Sequence, residues 1–138
     1  RCSMTDRELI KEAFLAMEKS YSPYSGYKVG AALLCRNGKV FRGCNIESST
    51  YSPTNCAERT AFFKAISEGE LEFEAIAVTG GQGGVVSSYF YPCGVCRQVM
   101  VEFCDMKTFR VITAKSQEDY EVCTLEELMP KMIKPEKI

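Results

Sequence analysis

Three short segments carry side chains whose types and spacing could do chemistry together. Pro92-Cys93-Gly94-Val95-Cys96-Arg97 sets two thiols three residues apart, Thr54-Asn55-Cys56-Ala57-Glu58-Arg59 adds a third thiol and an acid, and Gly43-Cys44-Asn45-Ile46-Glu47 offers an amide and a carboxylate. Cys93 and Cys96 open a helical pattern, where residues three apart share nearly one face. Two thiolates so placed can grip one zinc ion at about 2.3 Å each, and Cys56, at the start of another helical run, is the best candidate for a third ligand. Three protein ligands leave one tetrahedral position for water, the mark of a catalytic zinc site. Both helix starts favour thiolate over thiol. Two other readings stand beside this one: a C-x-x-C is also a redox pair, and an isolated Cys56 would pass for a small buried hydrophobe. Glu58 is similarly divided. On a regular helix it points roughly 200° away from Cys56, so the two converge only if Cys56 takes the irregular first position. Asn55-x-x-Glu58 is equally a capping box, in which Glu58 serves the helix start alone.

The composition narrows the chemistry. The 138 residues include eight Cys and no His, so there is no His–nucleophile pair, no His metal ligand and no His pH switch. Acid–base work falls to Asp, Glu, Lys, Tyr or Cys. Seventeen Lys and Arg against eighteen Asp and Glu give a net charge of −1, without the basic excess that polynucleotide binding usually needs. No nucleic-acid partner is expected. No apolar run approaches the ~18 residues of a membrane span, and no secretory signal is visible, which points to the cytoplasm. Arg1, Cys2 and Ser3 precede a plausible start at Met4 and read as a cloning remnant. Beyond the three candidate ligands, Cys2, Cys35, Cys44, Cys104 and Cys123 are odd in number, so they cannot all pair within the chain.

The elements that must position these groups can be read in order. Thr5 and Glu8 form a capping-box pattern ahead of apolar positions at helical spacing, predicting a helix to about Lys19. Residues 29–34 and 39–44 read as strands joined by a hairpin at Arg36-Asn37-Gly38. A second helix is expected over residues 56–67, stopped at Gly69. A strand over 75–79, a flexible loop over 80–84, a helix from Pro92 to about Cys104 and strands over 109–114 and 120–123 follow. Thr124 and Glu127 cap a last short helix that Pro130 ends, and residues 131–138 read as a frayed tail. The alternation predicts one α/β domain over 1–138, a mixed sheet of about five strands packed with helices.

Cys56-Ala57-Glu58 followed by Pro92-Cys93-Gly94-Val95-Cys96 is the three-cysteine form of the zinc deaminase signature. Together with Asn45-Ile46-Glu47, Arg59-Thr60 and Arg97-Gln98, it makes the chain resemble the small homotetrameric cytidine deaminases over nearly its whole length. The resemblance implies a three-layer fold, its sheet between helices, and one Zn2+ per subunit on Cys56, Cys93 and Cys96. It implies hydrolysis of cytidine and deoxycytidine to uridine and deoxyuridine plus ammonia by zinc-activated water, with Glu58 as proton shuttle, in pyrimidine salvage. Asn45 and Glu47 would hold the ribose hydroxyls, Tyr27 would be an aromatic wall against the base where the family usually has Phe, and Tyr51 would lie near a neighbouring subunit's pocket. Arg59 and Arg97 would hydrogen-bond the thiolates, offsetting the net −1 of three thiolates on a dication. Each site of the homotetramer would be completed by neighbours.

Two departures stand out. Ser48-Ser49 replaces the Asn-Ala that often follows the Asn-Ile-Glu motif, and the connection over residues 80–91 is longer than the family's usual loop, its Tyr89-Phe90-Tyr91 placed either to roof the pocket or to pack at an interface. The rival readings are an aminohydrolase for another small substrate such as blasticidin S, a thiol–disulfide oxidoreductase built on Cys93 and Cys96, and a non-catalytic zinc module with a fourth protein ligand.

Overall fold

Local signals start the elements. Thr5 Oγ1 accepts from Glu8 N at 3.2 Å while Glu8 Oε1 accepts from Thr5 N at 2.8 Å, and this reciprocal cap begins α1, Asp6–Met17. A computed structural model describes residues 4–129, so the expected remnant at 1–3, Pro130 and the expected frayed tail lie outside the described residues. Strands β1 (Tyr27–Cys35) and β2 (Val40–Cys44) pair antiparallel. Their turn differs from the two-residue Asn-Gly type, because Gly38 has φ +94° while Asn37 does not cross to positive φ. Gly38 N donates to Cys35 O and Cys35 N to Lys39 O, giving a three-residue loop with the glycine as a bulge.

Helix α2 (Ala57–Ser67) starts at Cys56 and ends where Gly69 N donates to Ile66 O and Glu70 N to Ala65 O, both at 3.0 Å, the paired bonds of a Schellman cap. Strand β3 (Phe73–Gln82), helix α3 (Gly94–Phe103), strands β4 (Arg110–Ala114) and β5 (Tyr120–Thr124) and helix α4 (Leu125–Leu128) complete the order. A second reciprocal cap, Thr124 with Glu127, begins α4.

The sheet runs β2-β1-β3-β4-β5, with β3–β4 parallel and the other neighbours antiparallel. Alternation along β1 divides the core. Ala32 and Leu34 pack with Leu9, Ile10 and Ala13 of α1, while Ala31 and Leu33 pack with Phe62 of α2 and Met100 of α3. The result is the expected α/β architecture of five mixed strands between helices.

One expectation is corrected. Gly80 and Gly81 belong to β3, paired with Val29 and Lys28, and are not part of a flexible loop. A Cβ on Gly81 would lie 2.0 Å from Val85 O, so glycine is what lets the following chain fold back over the strand. A second close approach sets the functional end of the molecule: a Cβ on Gly43 would lie 2.2 Å from Ala57 O and 2.6 Å from Ala61 N, so α2 begins directly against the backbone of β2.

Candidate active site

Cys56 and Cys93 are the residues at which α2 and α3 begin. Both have extended backbones (φ −77°, ψ 156° and φ −70°, ψ 169°), and neither side chain caps its helix, which leaves both sulfurs to face elsewhere. Cys96, one turn into α3, is 1% exposed. The three Sγ atoms lie within 4.8 Å of one another and form a cluster able to hold a metal ion. Tetrahedral zinc with bonds of about 2.3 Å needs sulfurs roughly 3.8 Å apart, so the soft three-sulfur donor set and its spacing fit zinc. Arg59 Nη2 donates to Cys56 Sγ at 3.1 Å. Within the cluster the Cys56 thiol is drawn well down, first by a hydrogen bond from Cys96 and then by Arg59. Cys96 is pushed up by that same hydrogen bond and by burial.

Glu58 is 1% exposed, and neither carboxylate oxygen has a hydrogen-bond partner. Burial raises its carboxyl to about 7, with the Cys56 thiolate adding to the rise. The capping-box alternative is therefore overturned: the helix starts at Cys56 and not Asn55, and Glu58 is its second residue. The extended backbone of Cys56 removes the angular conflict of a regular helix, so sulfur and carboxyl serve one place. An orphaned buried carboxyl is costly in a folded chain, and it marks a group held for a ligand.

That place opens into a cavity of about 210 Å³ lined by Tyr27, Asn45, Glu47, Cys56, Glu58 and Phe90, among others. The segment bearing Asn45 and Glu47 is pinned by single bridges from Ile46 to Tyr21 and to Asn55. Asn45 Oδ1 accepts from Ser20 Oγ and from Val29 N (2.9 Å), and its Nδ2 donates to Tyr27 O at 2.7 Å. Glu47 Oε1 accepts from the backbone N–H groups of Tyr24 and Ser25, and Oε2 accepts from Ser25 Oγ. The Ser25 hydroxyl in particular holds the Glu47 carboxyl below its ordinary range. The Tyr27 and Phe90 rings meet with centroids 5.9 Å apart at 36°.

Two residues stand apart from the cavity. Tyr51 is 75% exposed with φ +63°, a costly backbone for a tyrosine. It lines an adjoining cavity of about 330 Å³ with Tyr24 and Ser48, a cavity that shares Ser25, Glu47 and Thr54 with the first. Arg97 is turned to backbone carbonyls, Nε donating to Pro92 O at 2.7 Å and Nη1 to Leu128 O at 3.0 Å. The expected thiolate contact is thus replaced by a clamp between the start of α3 and the end of α4. Sequence reasoning missed Ser25 and Thr54, because a serine in a turn-rich run and a threonine in a loop carry no distinguishing spacing.

Residues 3–113 match the family model for the cytidine and deoxycytidylate deaminase zinc-binding region. The chain belongs to the cytidine and deoxycytidylate deaminase family. Among its relatives in that family is a cytidine deaminase from Sporosarcina psychrophila, 49% identical over 92% of this chain and 90% of that protein. Another is the cytidine deaminase of Halalkalibacterium halodurans, 51% identical over 91% of this chain and 92% of its own. The crystal structure of cytidine deaminase from Burkholderia pseudomallei, 45% identical, superposes with a TM-score of 0.86 and covers 94% of this chain and all of that one. The deaminase fold and the sequence motif agree, and zinc is the metal of this family's domain.

Proposed function

We propose that the chain is a zinc-dependent cytidine deaminase, hydrolysing cytidine and deoxycytidine to uridine and deoxyuridine with release of ammonia, in pyrimidine salvage. The observation that carries this reading is the buried, unpartnered Glu58 carboxyl beside the three-sulfur cluster, at the end of a cavity whose other wall bears Asn45 and Glu47. Cys56, Cys93 and Cys96 hold the ion, which when bound supplies Lewis-acid activation of water. Glu58 takes the proton of the attacking water, delivers it to the ring nitrogen, and then assists the amine to leave as ammonia. A carboxyl raised to about 7 suits a group that must both accept and donate near neutral pH.

Arg59 places its positive charge on the Cys56 sulfur and offsets the negative cluster. Arg97 acts one step further out, holding the start of α3 through Pro92 O. Glu47 accepts three hydrogen bonds, which leaves one of about four lone-pair sites for a sugar hydroxyl. Asn45 has one amide hydrogen beyond those its bonds use. Tyr27 is the wall against the base.

Tyr51, exposed on a strained backbone at the rim of the adjoining cavity, supports completion of each site by a neighbouring subunit in a homotetramer. Among the described residues no helix is long and apolar enough to cross a membrane. The free thiols of the described cysteines fit a reducing cytoplasm, and the near-neutral charge fits a free nucleoside better than a polynucleotide. The whole chain, 1–138, acts as one domain.

Metal analysis combined with an ultraviolet assay on cytidine tests the reading. One zinc per chain and loss of cytidine absorbance are expected. Glu58→Gln keeps the zinc and loses at least ~10²–10⁴-fold in turnover. A metal-free protein that reduces disulfides, or a fully active Glu58→Gln enzyme, overturns it.

A further inference from the structure

The long connection between β3 and α3 is tied down in an alternating pattern. Tyr89 OH donates to Asp119 Oδ1 at 2.5 Å, and Tyr91 OH donates to Glu121 Oε1 at 2.6 Å, so both tyrosines reach toward β5. Lys115 Nζ sits 4.7 Å from the centre of the Tyr89 ring and covers it. Phe90, between them, points the other way into the cavity that contains Cys56 and Glu58, where its ring meets Tyr27. Because both neighbours of Phe90 are held at β5, by Asp119 and Glu121, the backbone that carries Phe90 is fixed on either side of it. The question left open by the sequence, roof or interface, divides by residue: Phe90 lines the cavity, and its two neighbours anchor it.

A centroid separation of 5.9 Å is too small to admit a planar base between Tyr27 and Phe90. Stacked rings each need about 3.4 Å or more of clearance, in keeping with the 4.5–7 Å spacing of direct aromatic pairs. The two rings therefore form one bent apolar wall, against which a planar base can lie. We propose that Phe90 is a substrate-binding residue that completes the base wall with Tyr27, and that Tyr89 and Tyr91 are positioning residues that latch it there through Asp119 and Glu121. This rests on the deaminase reading above and assigns that site's second aromatic contact to the loop preceding α3. Because the wall touches the base and not the reacting groups, it binds substrate and transition state alike, and its loss raises KM with kcat unchanged.

The test compares the zinc-loaded wild-type enzyme with Phe90→Ala, Phe90→Leu and the double variant Tyr89→Phe/Tyr91→Phe on cytidine, with zinc content and melting temperature measured for each. Phe90→Ala raises KM about tenfold, the scale of one aromatic contact, while kcat stays within about twofold and zinc remains at one per chain. Phe90→Leu recovers part of the loss. The hydroxyl-free double variant keeps both rings and raises KM roughly threefold, as expected when hydrogen bonds to charged acceptors at an exposed latch are removed. An unchanged KM in Phe90→Ala, or a fall in kcat without a rise in KM, overturns the wall. A double variant with wild-type KM overturns the latch. A wild-type enzyme inactive on cytidine refutes the deaminase reading itself, and the wall with it.

Discussion

Adding one methyl group to Gly43 should damage the active site from the back. The new Cβ would stand 2.2 Å from Ala57 O and 2.6 Å from Ala61 N, both backbone atoms of α2. Restoring an ordinary contact of 3.4 Å takes about 1 Å of retreat by the helix start. Neither partner is a flexible side-chain end, so the retreat is shared by Cys56, Ala57 and Glu58. Overpacking of this kind costs about 1–3 kcal/mol, or roughly 3–10 °C in melting temperature for a chain of this size. The larger effect is on function. Moving the Glu58 carboxyl and the Cys56 sulfur by ~1 Å relative to Cys93 and Cys96 should cost on the order of 10²-fold in kcat/KM, together with weaker zinc retention against a chelator. Gly30→Ala is the matched control. Its Cβ would meet Ala13 O at 2.1 Å and Met17 N at 2.5 Å, an equal clash, but under α1 on the other face of the sheet. Gly30→Ala should therefore lose comparable stability while keeping kcat/KM within about threefold when assayed well below its melting temperature. Equal kcat/KM and zinc retention in the two variants would show that the β2–α2 contact does not set the site geometry.

Two further perturbations separate the roles of the groups around the cluster. Arg59→Lys removes the guanidinium that donates to Cys56 Sγ at 3.1 Å; kcat should fall about tenfold, the scale of a charge-assisted bond, with zinc retained, and unchanged kcat would remove Arg59 from the mechanism. Thiol labelling near pH 7.5 should leave Cys35 and Cys104 untouched, because burial pushes the Cys35 thiol up to about 11 and raises Cys104 further, keeping both protonated. Chelation should then expose further reactive thiols from the cluster, Cys56 first because the hydrogen bond from Cys96, followed by Arg59, draws its thiol down, with buried Cys96 staying protonated and slow; the same labelling count before and after chelation would contradict zinc binding by this cluster.

Most readings that depend on neighbours along the chain agree with the structure, the Asn55-x-x-Glu58 capping box and the exact type of the hairpin turn excepted. The caps at Thr5 and Thr124, the hairpin at Asn37-Gly38 and the stop at Gly69 each involve groups within a few residues of one another, where spacing largely dictates geometry. Readings that depend on distant contacts divided: the meeting of Cys56 with Cys93 and Cys96 agrees with the structure, and others do not. Gly80 and Gly81 looked like loop because glycine is a poor strand former. They are strand because β1 pairs with them and because the chain at Val85 closes over them too tightly for a side chain. Arg97 follows a thiol as Arg59 does, yet it is drawn away by carbonyls at Pro92 and Leu128, the latter far off in sequence.

The sequence alone determined the donor set. With no His in the chain, the resemblance to the zinc deaminases implies a ligand set of three cysteines, Cys56, Cys93 and Cys96, and the C-x-x-C spacing at a helix start made two of those ligands local. Tertiary structure decided that Glu58 is a buried, unpartnered carboxyl beside the sulfurs and not a helix cap, which of three adjacent aromatics faces the cavity, and what each arginine holds. Those outcomes depend on burial and on contacts across the sheet. A carboxyl is raised toward neutral pH when the fold strips it of water and partners, as it does for Glu58 beside the three sulfurs.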